Sequence, residues 1–178
     1  LPHHPVYAAG GGLSLVNIRH IPLDNIGNAL VKRSMDIVGS LLLILLPFPL
    51  MLFAAVGVKL SSPGPILFKQ ERVGLKKKPF YMYKFRSMRV NDKQTTGWST
   101  NSDPRKTKFG AFIRKFSIDE LPQFWNVLKG EMSLIGTRPP TVEEYEKYDY
   151  HHKRRLAIKP GITGMWQVSG RSSITDFD

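Results

Sequence analysis

The stretch IVGSLLLILLPFPLMLFAAVGV, residues 37–58, is the part of the sequence that decides the fold. Its 22 residues carry no charge, and as one straight helix they would measure about 33 Å, close to the thickness of the hydrocarbon core of a bilayer. Pro47 and Pro49 lie in the middle, however, and a proline inside a helix removes a backbone hydrogen bond at a cost of about 3 kcal/mol. We therefore expect a break at Pro47 that divides the stretch into two helical arms.

Basic residues flank this apolar stretch on both sides. They are Lys32 and Arg33 before it, and Lys59, Lys69, Arg72 and residues 76–78 after it. A simple transmembrane helix shows a cationic bias at one end only, whereas two basic ends are expected of a hairpin that enters the membrane and returns to the same face. Composition alone leaves this hairpin and an ordinary kinked transmembrane helix equally open, and it disfavours a buried helix of a soluble domain. A cleaved signal peptide is disfavoured, because the stretch is long and is not N-terminal.

The composition of the whole chain restricts its partners. The 178 residues include 26 Lys and Arg against 14 Asp and Glu, a net charge of +12, and there is no cysteine. The length suits one domain with an appendage. The positive charge indicates anionic partners such as phosphorylated substrates, anionic lipids or nucleic acid. Disulfides and thiolate catalysis are excluded.

The sequence after the apolar stretch alternates between strand and helix signals. ILFKQERVG and KPFYMYKFRSMRV, which follow the turn SSPGP, predict strands, and residues 91–104 predict a polar loop. The next segment places Phe109, Phe112, Ile113 and Phe116 on one helical face. Such a face fits a soluble core as well as a membrane interface, and the neighbouring hairpin favours the interface.

Three further segments follow. LPQFWNVLKGE predicts a helix with Pro122 near its start and Gly130 past its end. Residues 142–156 predict a charged, tyrosine-rich helix, and the Gly-rich KPGITGMWQVSGR predicts a structured loop.

Two adjacent acids, Asp119 and Glu120, stand out in the stretch FSIDELPQFWNV, residues 116–127. Taken alone they fit a helix start, because Asp is a favoured N-cap and Glu in the first turn suits the helix dipole. A chemical interpretation is a carboxylate that attacks a phosphoryl group, with cations that reduce the repulsion between two anions. Arg114 and Arg138 lie nearby in sequence, and oxygen ligands with a diphosphate point to Mg²⁺.

Five blocks of the sequence together resemble the bacterial sugar transferase family of monotopic phosphoglycosyl transferases. The blocks, which run in order from about Lys32 to Arg171, are KRSMDIVGSLLLILLPFPL, SPGPILFKQERVG, PFYMYKFRSM, FIRKFSIDELPQFWNVLKGEMSLIGTRPP and PGITGMWQVSGR. The resemblance reverses the preference for a simple helix start at the acids. It implies an α+β, mostly helical domain on the cytoplasmic face of the bacterial inner membrane, with a proline-broken re-entrant helix, interfacial amphipathic helices and a small β element.

The resemblance also implies a reaction and its residues. The family transfers a sugar-1-phosphate from a UDP-sugar to undecaprenyl phosphate and releases UMP. By similarity, Asp119 is the nucleophile that forms a covalent phosphosugar aspartate, and Glu120 binds Mg²⁺ together with Asp119. By the same similarity, Arg114 and Arg138 are assigned to the recognition of substrate phosphates. Lys84 and Arg86 are assigned to the diphosphate or to the lipid headgroup.

The same resemblance suggests how the chain is divided. We expect a linker or the end of a preceding domain at 1–28, the re-entrant helix-break-helix at 29–60, and a catalytic domain at 61–178 whose C-terminal part is missing. The chain then looks like the catalytic domain of a long-form member. The sequence specifies neither the sugar nor the oligomeric state, and a homo-oligomer stays open.

Two other functional classes compete with this interpretation. A basic membrane-surface scaffold that binds lipids without catalysis would need the bases and amphipathic helices, but not the acid pair. Nucleic-acid binding is disfavoured, because no recognised motif appears and an uncharged run of 22 residues is costly in such a domain.

Overall fold

The computed structural model describes residues 6–10, 13–17, 25–89, 105–149 and 153–164. The chain divides into two units, residues 1–35 and 36–178. In the first unit, β1 (Val6–Gly10) and β2 (Leu13–Asn17) form an antiparallel hairpin. The polar loop predicted at 91–104 and most of the Gly-rich segment at 159–171 lie outside the described residues. The mixture of helices with small sheets confirms the α+β class.

The uncharged stretch forms parts of two helices. Helix α1 (Ile26–Leu45) ends just before the prolines, and α2 (Phe48–Ser61) begins directly after Pro47. Pro49 lies in the first turn of α2, where its missing N–H costs no helical hydrogen bond. The two helices are bent by 61° at the break. Within the described ranges no single helix has the length and hydropathy of a membrane span, whereas this bent pair does when taken together.

Within the second unit, the buried carboxylate of Asp36 bonds to a small parallel sheet, β5 (Ser133–Ile135) beside β6 (Gly161–Thr163). Asp36 Oδ1 accepts hydrogen bonds from Ser133 Oγ and from the backbone N–H of Leu134, both at 3.0 Å. Because an unpaired buried carboxylate would be very costly, these bonds fix the docking of this helical turn on β5.

A second hairpin contributes to the core of the second unit. Strands β3 (Leu67–Val73) and β4 (Pro79–Phe85) pair antiparallel, as the two predicted strands require. One core cluster packs β4 against α2 and against the two helical segments at 108–115 and 118–120. Its buried members are Ala54, Val58, Phe85, Ile113 and Ile118. A second core cluster packs β4 against the helix at 123–129 and the residues just after it. Its buried members are Phe80, Met82, Val127 and Met132.

Two predicted helices are confirmed. Helix α3 (Lys108–Lys115) begins after the N-cap Thr107, whose hydroxyl accepts from the N–H of Gly110. A one-turn 3-10 helix (Ile118–Glu120) follows, and then α4 (Gln123–Lys129). Gly130 ends α4 in the left-handed conformation that glycine adopts without strain.

Two predictions for the C-terminal part were wrong. The single helix at 142–156 is replaced by α5 (Val142–Glu146) and a 3-10 helix (Arg154–Ala157); the sequence between them, rich in Tyr, Asp and His, has low helix propensity. Part of the predicted loop is the strand β6. Its pairing depends on close backbone approach, since a Cβ on Gly161 would lie 2.0 Å from the nitrogen of Gly136.

Candidate active site

Two core residues bring a predicted cation and the predicted acids together. Phe85 of β4 and Ile118 of the 3-10 helix are buried in the same core cluster. Lys84 and Asp119 directly adjoin these two residues in sequence. As a result, Lys84 Nζ lies 3.4 Å from Glu120 Oε1. The packing of the hairpin on α2 and α3 therefore sets a lysine beside the acid pair.

The two acids do not cap a helix. Asp119 is 7% exposed and lies inside the 3-10 turn, whose N-cap is Ser117. Helix α4 begins later, with Pro122 at its N-cap and no side-chain cap. The acids do lie in the first turn of a 3-10 helix, as a helix start would have them, but neither serves as its N-cap. Asp119 is thus a buried carboxylate without a capping role.

The surroundings of Asp119 raise its pKa to about 6. Burial is the main cause, since removal from water disfavours the charged form. The neighbouring negative charge of Glu120 acts in the same direction, while the positive charges of Lys84 and Arg114 favour ionisation and oppose it. Asp119 is thus a carboxylate with unusual basicity that remains mostly ionised at pH 7. Such a group is suited to act as a nucleophile.

The turn that carries the acids is attached to Arg114. Ser117 has a φ of 56°, in the left-handed backbone region that residues other than Gly, Asn and Asp rarely adopt. Its N–H donates to the carbonyl of Arg114, and its own carbonyl accepts from the N–H of Glu120, both at 3.2 Å. This strained corner turns the chain from α3 back towards β4. Arg114 is exposed on the last turn of α3, near enough to influence Asp119.

Arg86 occupies a different environment from the one predicted. Its guanidinium is buried and donates from Nη1 to the carbonyl of Pro63 at 2.8 Å, and from Nη2 to those of Ser62 and Val58. These carbonyls belong to the end of α2 and the turn after it. The contacts give Arg86 a structural role in holding α2 on the hairpin; a phosphate contact for Arg86 stays a prediction.

Arg138 belongs to a second charged group. Glu144 lies between two arginines, with Oε1 3.7 Å from Arg138 Nη2 and Oε2 3.6 Å from Arg72 Nη1. Burial and the charge of Arg138 lower the pKa of Arg72 to about 10, and Glu144 opposes this shift. Phe68 of β3 pairs with Lys84, and Arg72 lies four residues further along β3. Arg72 and Phe68 are therefore about 13 Å apart along the strand. The structure therefore groups Lys84 and Arg114 with the acids and places Arg138 with Arg72.

Asn126 is a positioning residue that the sequence did not reveal. Its buried side chain completes the edge of β4: Oδ1 accepts from the N–H of Tyr83 at 3.1 Å, and Nδ2 donates to the carbonyl of Tyr81 at 2.8 Å. The pairing fixes α4 along β4, and with it the 3-10 turn just before α4. A single asparagine in a predicted helix gives no signal of this kind, because the edge it pairs with is distant in sequence.

The acid pair fits a magnesium ion held together with a substrate. Mg²⁺ is usually bound by one or two carboxylates, water and substrate phosphates. Asp119 and Glu120 offer two adjacent carboxylates. In the part of the chain that the structure describes, no three or more His, Cys, Asp or Glu residues cluster into a site that would hold a metal by themselves. Two carboxylates alone would leave most of the coordination positions of such an ion to water or to another ligand.

A family model described as bacterial sugar transferase matches residues 27–178. The chain belongs to this family. The match includes the bent helices, the hairpin and the acid pair. The sequence resemblance to bacterial sugar transferases is thereby confirmed.

Curated relatives within the bacterial sugar transferase family carry names that specify different sugars. The chain is 45% identical to the galactosyl transferase CpsE of Streptococcus agalactiae, over 96% of this chain and 45% of the relative. It is 45% identical to a UDP-glucose:undecaprenyl-phosphate glucose-1-phosphate transferase of Xanthomonas campestris, over 90% and 34%. It is 44% identical to a UDP-N-acetylgalactosamine-undecaprenyl-phosphate N-acetylgalactosaminephosphotransferase of Aeromonas hydrophila, over 86% and 39%. The chain thus spans less than half the length of each.

Proposed function

We propose that this chain transfers a sugar-1-phosphate from a UDP-sugar to undecaprenyl phosphate, as the first membrane step in the synthesis of a surface polysaccharide or glycoconjugate. The observation that carries the proposal is the buried carboxylate of Asp119, with Lys84 and Arg114 close enough to affect its charge. Relatives named for UDP-sugars and undecaprenyl phosphate supply the substrate classes.

In the first half-reaction, an oxygen of Asp119 attacks the phosphorus on the sugar side of the UDP-sugar diphosphate. A P–O bond forms to the carboxylate, and the bond from this phosphorus to the bridging oxygen breaks, so that UMP leaves with the bonding electrons. Lys84 and Arg114 reduce the repulsion between the attacking anion and the diphosphate. A bound Mg²⁺ would neutralise phosphate charge, with Asp119 and Glu120 as its protein ligands.

In the second half-reaction, a phosphate oxygen of the lipid attacks the same phosphorus. The bond to Asp119 breaks and restores the carboxylate, and the product is an undecaprenyl diphosphate-linked sugar. Because Asp119 is mostly ionised above pH 6, it both attacks and leaves as an anion. The two steps conserve charge and need no water.

The helices before the acids provide the proposed attachment to the membrane. We place α1 and α2 as a re-entrant hairpin in the cytoplasmic leaflet of the bacterial inner membrane. Support comes from the 61° bend, and from apolar side chains that stay exposed along both arms. These include Leu41, Leu42, Leu45, Leu46, Phe48, Leu52, Phe53 and Val56. An apolar surface of this extent would be unfavourable in water.

The test is UMP release from a panel of UDP-sugars, with Mg²⁺ and a lipid acceptor, by the parent protein and by Asp119→Asn. We expect the substitution to abolish release, by at least about a thousandfold, because the amide is a very poor nucleophile. Vesicle binding by the variant should be unchanged. Turnover equal to that of the parent would remove Asp119 as the nucleophile, and a parent protein inactive with every UDP-sugar would favour the scaffold.

A further inference from the structure

Four phenylalanine rings form a continuous series of contacts along α2 and α3. The Phe53 ring meets that of Phe109 edge-on at 5.8 Å, Phe109 contacts Phe112 at 6.2 Å, and Phe112 contacts Phe116 at 5.1 Å, measured between ring centroids. We call these four residues the phenylalanine track. Phe53, Phe112 and Phe116 are 57%, 45% and 58% exposed. The track is therefore a surface feature in spite of its apolar composition.

The phenylalanine track is attached to the protein core through Phe109. Phe109 is partly buried and packs against the core cluster of α2, β4 and α3. Gly57 permits this packing, because a Cβ at that position would lie 2.1 Å from an atom of the Phe109 ring. Each ring outside the core contacts another ring of the track. The result is a supported apolar strip rather than a set of isolated exposed side chains.

The two ends of the track differ in character. Phe53 lies among the exposed apolar residues of α2, whereas Phe116 lies three residues before Asp119. At this second end Lys115 Nζ is 5.8 Å from the centroid of the Phe116 ring, and Arg114 occupies the same helical turn. An apolar strip thus leads from the bent helices to the cationic surroundings of the buried carboxylate.

We propose that the phenylalanine track binds the polyprenyl chain of the lipid acceptor and places the acceptor's phosphate beside Lys84 and Arg114. The inference rests on the proposed function. The acceptor combines an anionic head with a long apolar chain, and the track combines an apolar strip with a cationic end in the same order. Each Å² of apolar surface that the chain covers contributes about 25 cal/mol. Ordinary bilayer lipid would contact the exposed rings as well, but it would not require the strip to end at the helical turn that carries Lys115 and Arg114.

The test compares acceptors of different length in detergent micelles. The variants are Phe112→Ser and Phe116→Ser, with Leu60→Ser as the matched control, since Leu60 is 82% exposed on α2 and lies outside the track. Transfer is measured with undecaprenyl phosphate and with a short-chain prenyl phosphate at saturating UDP-sugar. UMP release without acceptor reports the first half-reaction. We expect each track variant to raise the KM for undecaprenyl phosphate about tenfold, which corresponds to a loss of about 1.4 kcal/mol.

The same variants should leave the KM for the short-chain acceptor and the acceptor-free burst of UMP unchanged, and Leu60→Ser should change none of these values. Phe112→Leu retains an apolar side chain, so its KM for undecaprenyl phosphate should equal that of the parent protein. An unchanged KM for undecaprenyl phosphate in both track variants would overturn the inference. So would an equal rise for both acceptors, or a loss confined to binding of phosphatidylglycerol vesicles. The absence of any UMP burst from the parent protein would instead overturn the proposed function, and the inference with it.

Discussion

At the scale of single residues, Asp119 is where the requirements of folding and of the proposed chemistry conflict. The proposed nucleophile must be ionised, yet the protein buries it and raises its pKa to about 6. At pH values between 3.8, the usual pKa of an aspartate, and about 6, the folded state binds more protons at this group than the unfolded state does. The contribution of this group to stability is therefore fully present below pH 4, declines as the pH rises to about 6, and stays low above that.

The substitution Asp119→Asn should consequently stabilise the fold at neutral pH. The amide resembles the protonated acid, so the variant and the parent should be equally stable near pH 4. At pH 7 the variant should be more stable, by up to about 3 kcal/mol for a shift of this size. Thermal unfolding in micelles at both pH values, without divalent cations, measures the difference. A variant less stable than the parent at pH 7 would mean that the cations outweigh burial at this site.

The sequence identified the acids and part of their surroundings. Lys84, Arg114 and the acid pair lie in blocks that resemble a known family, and the structure does bring Lys84 and Arg114 close to Asp119. The role of Arg86 was not visible, although it lies only two residues after Lys84. Its partners are backbone carbonyls at the end of α2, and carbonyls do not appear in a side-chain pattern. Arg138 likewise depends on Glu144 and Arg72, which only the fold brings together.

At the scale of elements, local signals predicted α3 and α4 well. The signals are properties of each segment itself. They are apolar residues that recur with the helical period of 3.6 residues, a proline near the start and a glycine past the end. The contact between α4 and β4 is different, because it depends on the amide of Asn126 and two backbone groups more than 40 residues away. The parallel pairing of β5 with β6 was also missed. Each strand has only three residues, too few for a recognisable strand pattern, and the two segments are distant in sequence.

The pairing of Asn126 with β4 should matter for both stability and turnover. Asn126→Leu keeps a similar volume but removes the partners of the Tyr83 N–H and the Tyr81 carbonyl, which are partly buried, at a cost of about 1–3 kcal/mol. Because α4 follows the acid turn directly, a shift along β4 also changes the separation between Lys84 and Glu120. We expect a lower melting temperature and a UMP release rate at least about tenfold lower, both measured where the variant is still folded.

Val127→Ala provides the control on the same helix. Val127 is fully buried in the second core cluster, so its truncation should cost a similar free energy of unfolding, about 1–3 kcal/mol, without disturbing the edge of β4. This variant should keep its turnover below its melting temperature. Equal turnover in the two variants would show that Asn126 supports the fold without positioning the acids.

At the scale of the whole molecule, the bent helices and the acid pair are expected to act together. Asp36 joins α1 to β5, and Ala54 and Val58 join α2 to the core beside the acid turn. A hairpin held in the membrane would therefore hold Asp119 at a fixed depth near the surface, where a lipid phosphate can reach it. The sequence predicted the break at Pro47, but it did not reveal these attachments, which depend on contacts between distant segments.

The proposed re-entrant arrangement makes a prediction about sidedness. The chain has no cysteine, so Lys32→Cys and Lys59→Cys each introduce a single reactive thiol at one end of the hairpin. In sealed, oriented vesicles we expect a membrane-impermeant maleimide to label both variants from the cytoplasmic side only. Labelling of the two positions from opposite sides would show that the helices span the bilayer.

The most direct test of the central claim is to trap the reaction between its two steps. The parent protein is incubated with a UDP-sugar and Mg²⁺ in the absence of lipid acceptor, quenched in acid, digested, and examined by mass spectrometry. We predict one added sugar phosphate, on the peptide that contains Asp119, and its disappearance after undecaprenyl phosphate is supplied. A sugar phosphate on another residue, or turnover with no modified protein at any time, would contradict the account.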